Sequence, residues 1–209
     1  MITAYDYPSA VVCSSNPLID VVLVGDSLAQ VCLGYASTTQ LTLSEMIHHT
    51  RAVARGTTHP LLVADMPFGT YTSSNSDAIK NAVRMIQEGR VEAIKMEGGL
   101  EVVGTVKKLT DFGIPVMAHV GLKPQRHVAM SGFKIQGKDT AYAKQVMEEA
   151  EALQEAGAFS MVLEGSAIHK FGEAVRNRLF PNESELYTSD KAEWQSLSCH
   201  GSADPSSCQ

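Results

Sequence analysis

Short apolar runs alternate along this chain with longer stretches whose apolar residues recur at helical spacing. The runs are Ile2–Tyr5, Val21–Val24, Leu61–Ala64, Ala93–Met96, Ile114–Ala118 and Phe159–Leu163. Most are apolar at consecutive rather than alternate positions, the pattern of parallel strands covered on both faces. Between them, Thr42-Leu43-Ser44-Glu45 reads as a capping box. In such a box a side-chain oxygen takes an orphan N–H and the Glu reaches back. The helix it opens should end near Arg55-Gly56. Ala78, Ile79, Ala82, Val83 and Ile86 share one helical face, and their helix should stop at Gly89. Two more helices are expected, one from about Leu100 to Asp111 closed by Gly113, the other from about Thr140 to Ala156 closed by Gly157.

Strands alternating with helices in this way imply crossovers and a parallel sheet. The leading architecture is an α/β fold of the (β/α)8 TIM-barrel type, with about six of its eight strands present in this sequence. Residues 1–179 would then form an incomplete barrel that carries the chemistry. After Leu179 the composition changes. Pro181 to Gln209 is rich in serine, poor in aliphatic residues and free of strand-like runs. Such a segment buries little apolar surface, so 180–209 is expected to be a disordered or loosely docked tail with Trp194 as its anchor.

Composition narrows the function classes. At 209 residues, 44% hydrophobic and 19% charged, the chain can build one substantial core. A net charge of -6 argues against a nucleic-acid partner, which would call for a basic stripe. No apolar run approaches the roughly 20 residues of a membrane span. The first residues lack the basic and apolar regions of a signal peptide. Cys13, Cys32, Cys199 and Cys208 form neither a C-x-x-C pair nor a zinc-spaced cluster with histidine. They read as reduced thiols of an intracellular protein, cytoplasmic or mitochondrial.

Candidate chemistry sits where strands run out into loops, the face on which βα-barrels place their active sites. The second run leads into Gly25-Asp26-Ser27 and the third into Asp65-Met66-Pro67. The fourth carries Lys95-Met96-Glu97-Gly98, the fifth leads into His119-Val120-Gly121 and the sixth into Glu164-Gly165. Taken singly, an Asp after a strand is more often a helix N-cap or turn residue. A lone His there is usually a hydrogen-bonded structural residue. Lys95 and Glu97 share one face about Met96 and could pair with each other. Five consecutive strands each delivering such a group are harder to explain that way, because buried charges are costly unless paired or metal-bound.

As a set these residues suit metal-assisted enolate chemistry. Asp26 and Asp65 are hard oxygen donors, fit for Mg2+ rather than zinc. Glu97 would complete the shell directly or through water. A cation there would polarise a ketone oxygen and stabilise the enolate. Lys95 offers a positive charge for a substrate carboxylate, and Ser27 a hydroxyl or backbone donor. Glu164 is the candidate general base, and partial desolvation should raise its pKa toward the useful range.

Several stretches, in order, resemble the ketopantoate hydroxymethyltransferase (3-methyl-2-oxobutanoate hydroxymethyltransferase) family. They are residues 2–6 (ITAYD), 22–27 (VLVGDS), 62–68 (LVADMPF), 94–99 (IKMEGG), 119–125 (HVGLKPQ), 132–137 (GFKIQG) and 153–158 (LQEAGA). The match is clear from Met1 to about Glu164 and weaker to Leu179. The resemblance implies a phosphoenolpyruvate/pyruvate-like TIM barrel. It implies Mg2+ on Asp26 and Asp65 with Glu97 nearby, the keto acid carboxylate held by Ser27 and Lys95, and His119 beside the new hydroxymethyl group. Glu164 would remove the C3 proton of 3-methyl-2-oxobutanoate. The enolate would attack the methylene carbon of 5,10-methylenetetrahydrofolate, giving ketopantoate for pantothenate and coenzyme A synthesis. The partners implied are the small-molecule keto acid and folate, with a homo-oligomer, often a decamer, as the assembly. Arg51–Gly56 and Pro67–Tyr71 look most like fungal or plant members.

The sequence also departs from that family. The Gly-rich seventh strand and the eighth strand do not follow Glu164, and divergence begins at Gly165-Ser166-Ala167. The tail reads as a frameshift, a retained intron or a misplaced gene end. Ser131 replaces a usual glycine, and Arg90-Val91-Glu92 stands where a small residue is common. Two alternatives follow. One is an inactive truncated member, or one that acts by assembling with intact subunits. The other is a keto-acid enolate enzyme of the phosphoenolpyruvate mutase or isocitrate lyase type. That type would require a cysteine in a K-K-C-G-H-like motif, which the sequence lacks.

Overall fold

The computed structural model describes residues 1–126 and 140–164. The expected tail, and the departures at 131 and 165–167, lie outside the described residues. Six strands pair in parallel and in chain order: β1 (Ile2–Thr3), β2 (Val21–Val24), β3 (Leu61–Asp65), β4 (Ala93–Glu97), β5 (Val116–Gly121) and β6 (Ser160–Glu164). The helices described are α1 (Tyr7–Ser14), α2 (Leu28–Val31), α3 (Leu43–Gly56), α4 (Asn75–Gln87), α5 (Val103–Asp111) and α6 (Thr140–Glu155). This is the expected βα alternation of a TIM-barrel sheet. None of the described helices is long and apolar enough to cross a membrane.

Local chemistry explains most boundaries. The Thr42 capping box forms: its hydroxyl accepts from the Glu45 N–H at 3.3 Å, and Glu45 accepts from the Thr42 N–H at 2.8 Å. Gly113 (φ 79°) and Gly157 (φ 97°) follow α5 and α6 in the left-handed region that glycine favours. Helix α1 was not expected. Its cue is Asp6, whose carboxylate caps the Ser9 N–H at 2.9 Å, with a proline in the first turn. It packs on α3 at Gly56, where a Cβ would stand 2.8 Å from the Tyr7 carbonyl. The stop after α4 also differs from expectation. The left-handed residue is Arg90 (φ 62°), while Gly89 is needed because a side chain would strike Thr50 and the Met85 carbonyl.

The strands run further than their apolar runs, through Asp65, Glu97, His119 and Glu164, and β5 begins two residues later than expected. Side chains alternate between two faces. Val22, Val24, Leu62, Ala64, Ile94, Met96, Val116, Ala118 and Val120 face the helices and share one buried cluster with them. Leu23, Val63, Ala93 and Met117 form a second cluster on the opposite face, with Val21, Leu61 and Val162 against it. Period two then places Asp65, Lys95, Glu97, His119 and Glu164 on that inner face, one step beyond its apolar floor. Parallel register sets Asp65 opposite Lys95, Glu97 opposite His119 and Gly121 opposite Glu164. The sheet is curled about this face. Gln125, just past β5, hydrogen-bonds Asp26, just past β2, although three strand spacings of a flat sheet span ~14 Å.

Candidate active site

The rim of this inner face brings all seven sequence-predicted residues together. Asp26, Asp65, Lys95, Glu97 and His119 are buried, while the Glu164 side chain is 43% exposed. Lys95 Nζ lies 2.7 Å from Asp65 Oδ1 and 3.2 Å from His119 Nδ1. Its ion-pair partner is therefore Asp65 on the adjacent strand, not Glu97 on its own. The other Asp65 oxygen accepts from the Asp26 backbone N–H at 2.9 Å, so neither aspartate serves as a helix cap. Glu97 accepts from the Gln125 backbone N–H at 3.1 Å and stands 3.7 Å from His119 Nδ1. On the far side of the ring, His119 Nε2 is 3.1 Å from Glu164 Oε2. An ammonium can only donate. With Lys95 donating to Nδ1, the imidazole proton belongs on Nε2, aimed at Glu164.

The electrostatics follow from burial and crowding. Burial pushes the Asp26 carboxyl up to about 6, with the Asp65 charge adding to it and the Gln125 amide opposing it. Glu97 is pushed up to about 8 by burial; the Gln125 N–H pulls it down and the Asp26 charge pushes it further up. Burial pulls the Lys95 ammonium down, but the charges of Asp65, Asp26 and Glu97 outweigh it, so Lys95 is held above the ordinary lysine value. Glu164 corrects an expectation. Its pKa is lowered, not raised, because the hydrogen bond from His119 outweighs a burial that is only partial. It is a carboxylate kept ionised at low pH rather than a base tuned upward by desolvation.

Ser27 is held from an unexpected side. Its hydroxyl is 2.7 Å from the Tyr5 hydroxyl, and the Tyr5 carbonyl in turn contacts His49 Nδ1 at 2.7 Å. Sequence reading assigned no role to Tyr5 or Gln125, although the strand-end rule reaches the first and the stretch 119–125 contains the second. Gln125 bridges the rim: its amide donates to Asp26 Oδ2 at 2.9 Å and to the Met66 carbonyl at 3.1 Å.

The donor chemistry fits a hard divalent cation. Asp26, Asp65 and Glu97 are three buried carboxylates facing one ammonium. Burial first and mutual repulsion second push Asp26 and Glu97 up, and a doubly positive ion would offset both. Among the described residues no three His, Cys, Asp or Glu side chains form a ready-made cage. Mg2+ asks less than such a cage, since it keeps several waters and takes one or two carboxylates directly. Asp26 and Asp65, joined by a hydrogen bond, would hold it, with Glu97 reached through water.

The sequence model for the family described as Ketopantoate hydroxymethyltransferase matches residues 1–180. The chain belongs to that family. The 3-methyl-2-oxobutanoate hydroxymethyltransferase of Heliobacterium modesticaldum is 54% identical over 164 residues, covering 78% of this chain and 59% of that protein. The Clostridium kluyveri protein of the same name is 52% identical over 165 residues, covering 79% and 59%. This member of the ketopantoate hydroxymethyltransferase family thus spans about three-fifths of the length of the curated relatives it matches. Both are bacterial and lend nothing to the fungal or plant likeness of 51–56 and 67–71. Among solved structures, 2,3-dimethylmalate lyase, a PEP mutase/isocitrate lyase superfamily member, has a TM-score of 0.62 at 16% identity, covering 94% of this chain and 70% of that one. Phosphonopyruvate hydrolase with oxalate and Mg++ has 0.58 at 17%, covering 78% and 56%. At such identities the family shares with them the barrel fold alone.

Proposed function

We propose that the rim is the keto-acid half of a 3-methyl-2-oxobutanoate hydroxymethyltransferase site, using Mg2+ and taking its one-carbon unit from 5,10-methylenetetrahydrofolate in pantothenate synthesis. The observation that carries this reading is the convergence of Asp65, Lys95, Glu97, His119 and Glu164 on one face at the ends of four neighbouring parallel strands, linked by contacts of 2.7–3.7 Å, with Asp26 and Ser27 beside them, in a chain of this family. Lys95 and the Tyr5-held Ser27 hydroxyl receive the substrate carboxylate. The apolar floor of Leu23, Val63, Ala93 and Met117 keeps water from below the reacting atoms. A divalent cation held by Asp26 and Asp65 would supply positive charge where the enolate oxygen develops. The ionised Glu164 accepts the C3 proton, its carboxylate oriented by His119 Nε2–H. The electron pair of the broken C–H bond becomes the enolate, which forms the new C–C bond to the folate methylene carbon. Both C–N bonds of that carbon break, one water supplies the hydroxyl of ketopantoate, and the two folate nitrogens take up the water proton and the C3 proton.

The test is hydrogen exchange at C3 of 3-methyl-2-oxobutanoate in D2O with Mg2+, followed by proton NMR, then ketopantoate yield on adding methylenetetrahydrofolate. Mg2+-dependent exchange, lost in Glu164→Gln, is expected, and a folded sample without exchange refutes the reading. Exchange without ketopantoate would support the second reading, in which this chain acts only with intact subunits. Self-association is part of the proposal. Tyr7 and Val11, one turn apart on α1, are 50% and 42% exposed, which supports a covering copy. A monomer at all concentrations in sedimentation would overturn that part.

A further inference from the structure

Gln125 lies in the 3-10 turn Pro124–Arg126 beyond β5, and no catalytic role in the scheme above requires it. It is nonetheless 7% exposed with all its side-chain groups engaged. One amide N–H donates to Asp26 Oδ2 at 2.9 Å and the other to the Met66 carbonyl at 3.1 Å. Its Oε1 accepts from the Tyr71 hydroxyl at 2.7 Å, the nearer of two acceptors for that single proton, the Glu97 carbonyl lying at 2.9 Å. Its backbone N–H reaches Glu97 Oε1 at 3.1 Å. The amide has only one workable orientation, because the reverse would set its oxygen against a carboxylate and a carbonyl, both acceptors. A single residue thus ties the loops after β2 and β3 to the end of β4. It does so without charge, so it adds donors around two carboxylates while leaving their negative charge to a cation. A lysine at the same place would compete with that cation.

We propose that Gln125 is the positioning residue of the cation site, fixing Asp26 through its side chain and Glu97 through its backbone, with Tyr71 holding the amide in orientation. The inference rests on the metal reading above. Hydrogen-bond partners behind ligating carboxylates set ligand orientation, and their removal costs roughly 10–100-fold in metal affinity. This role differs from that of Lys95, which pairs with Asp65 and also serves substrate.

The experiment is Mn2+ binding to the full chain, measured by the EPR signal of free and bound Mn2+, with no substrate present. Gln125→Met keeps the length of the side chain and removes its donors and acceptor. It should weaken Mn2+ binding roughly 10–100-fold and alter the bound-Mn2+ spectrum. Tyr71→Phe leaves the donors but frees the amide, and should weaken binding in the same direction by less. Melting of the metal-free proteins is the control, since a merely structural role would lower the melting temperature and leave the affinity of the folded molecules unchanged. Equal affinity in wild type and Gln125→Met overturns the proposal alone. Should that variant not fold, unchanged affinity in Tyr71→Phe overturns it. No Mn2+ binding to the wild type overturns the metal reading and this proposal with it.

Discussion

Raising the pH should destabilise the metal-free protein across a range in which most proteins are indifferent. Glu97 titrates at about 8 in the folded chain against 4.5 in its ordinary state. At ~1.4 kcal/mol per pH unit, that difference corresponds to ~5 kcal/mol. Asp26, moved from 3.8 to about 6, corresponds to ~3 kcal/mol. The two overlap, since the Asp26 charge is one cause of the Glu97 shift, so the total is less than both together. The sign follows from linkage. A carboxyl whose folded pKa is raised binds more protons folded than unfolded, so its stabilisation is complete below the unfolded value and lost as pH rises through the folded one. The Asp26 contribution fades between about pH 4 and 6, and that of Glu97 between about pH 4.5 and 8. Urea unfolding in EDTA from pH 5 to 9 reads the effect directly. Glu97→Gln removes one of the two groups. The difference between wild type and variant cancels the titrations that do not interact with Glu97, keeps its coupling to Asp26, and should swing in favour of the variant by several kcal/mol toward pH 9. Saturating Mg2+ should flatten or reverse the wild-type slope, because the cation binds the ionised forms. A metal-free wild type whose stability is flat or rising from pH 5 to 8, or a Glu97→Gln profile parallel to it, would refute the burial argument for this rim.

Other consequences are local. Gly99→Ala places a methyl against the Glu149 carboxylate, which is buried and paired with Lys123 at 3.1 Å; a loss of ~1–3 kcal/mol is expected in urea unfolding. Tyr5→Phe removes the 2.7 Å contact to Ser27. Losing a neutral hydrogen bond of ~1 kcal/mol should raise the keto-acid KM about two- to ten-fold, with kcat within about two-fold. His119→Asn keeps an acceptor for Lys95 but deletes the donor to Glu164. Since that donor lowers the Glu164 pKa, the acidic limb of C3 exchange should move to higher pH, and an unmoved limb would exclude Glu164 as the titrating base.

How much of this was legible in the sequence depends on the range of the interaction. The Thr42 box and the glycines after α5 and α6 act within a few residues, so the sequence displays them. Runs of apolar residues ending in a charge marked β2, β3, β4 and β6, and hence the rim. Pairing within the rim was not legible, because it is set across strands. Residues two apart on one strand lie ~6.8 Å apart, whereas lateral neighbours lie ~4.8 Å apart. Lys95 therefore meets Asp65 rather than Glu97. The direction of the Glu164 pKa depends on His119, and the pairing of β5 with β6 brings those two together as diagonal neighbours, His119 lying opposite Val162. Gln125 reaches Asp26 from 99 positions away, and an uncharged amide gives no sign of that in sequence.

The parallel register has a consequence for folding fidelity. Strands apolar on both faces give the core little reason to prefer one alignment over its neighbour. A one-residue slip of β4 would turn Lys95 and Glu97 into the helix layer and bring Met96 onto the rim. Two ions in that apolar layer, each away from its partners, would cost several kcal/mol apiece. The charged rim therefore acts as a proofreading key for strand alignment. On the proposed metal reading, the fraction of a refolded preparation that binds a divalent cation would count the correctly aligned molecules, before any substrate is added.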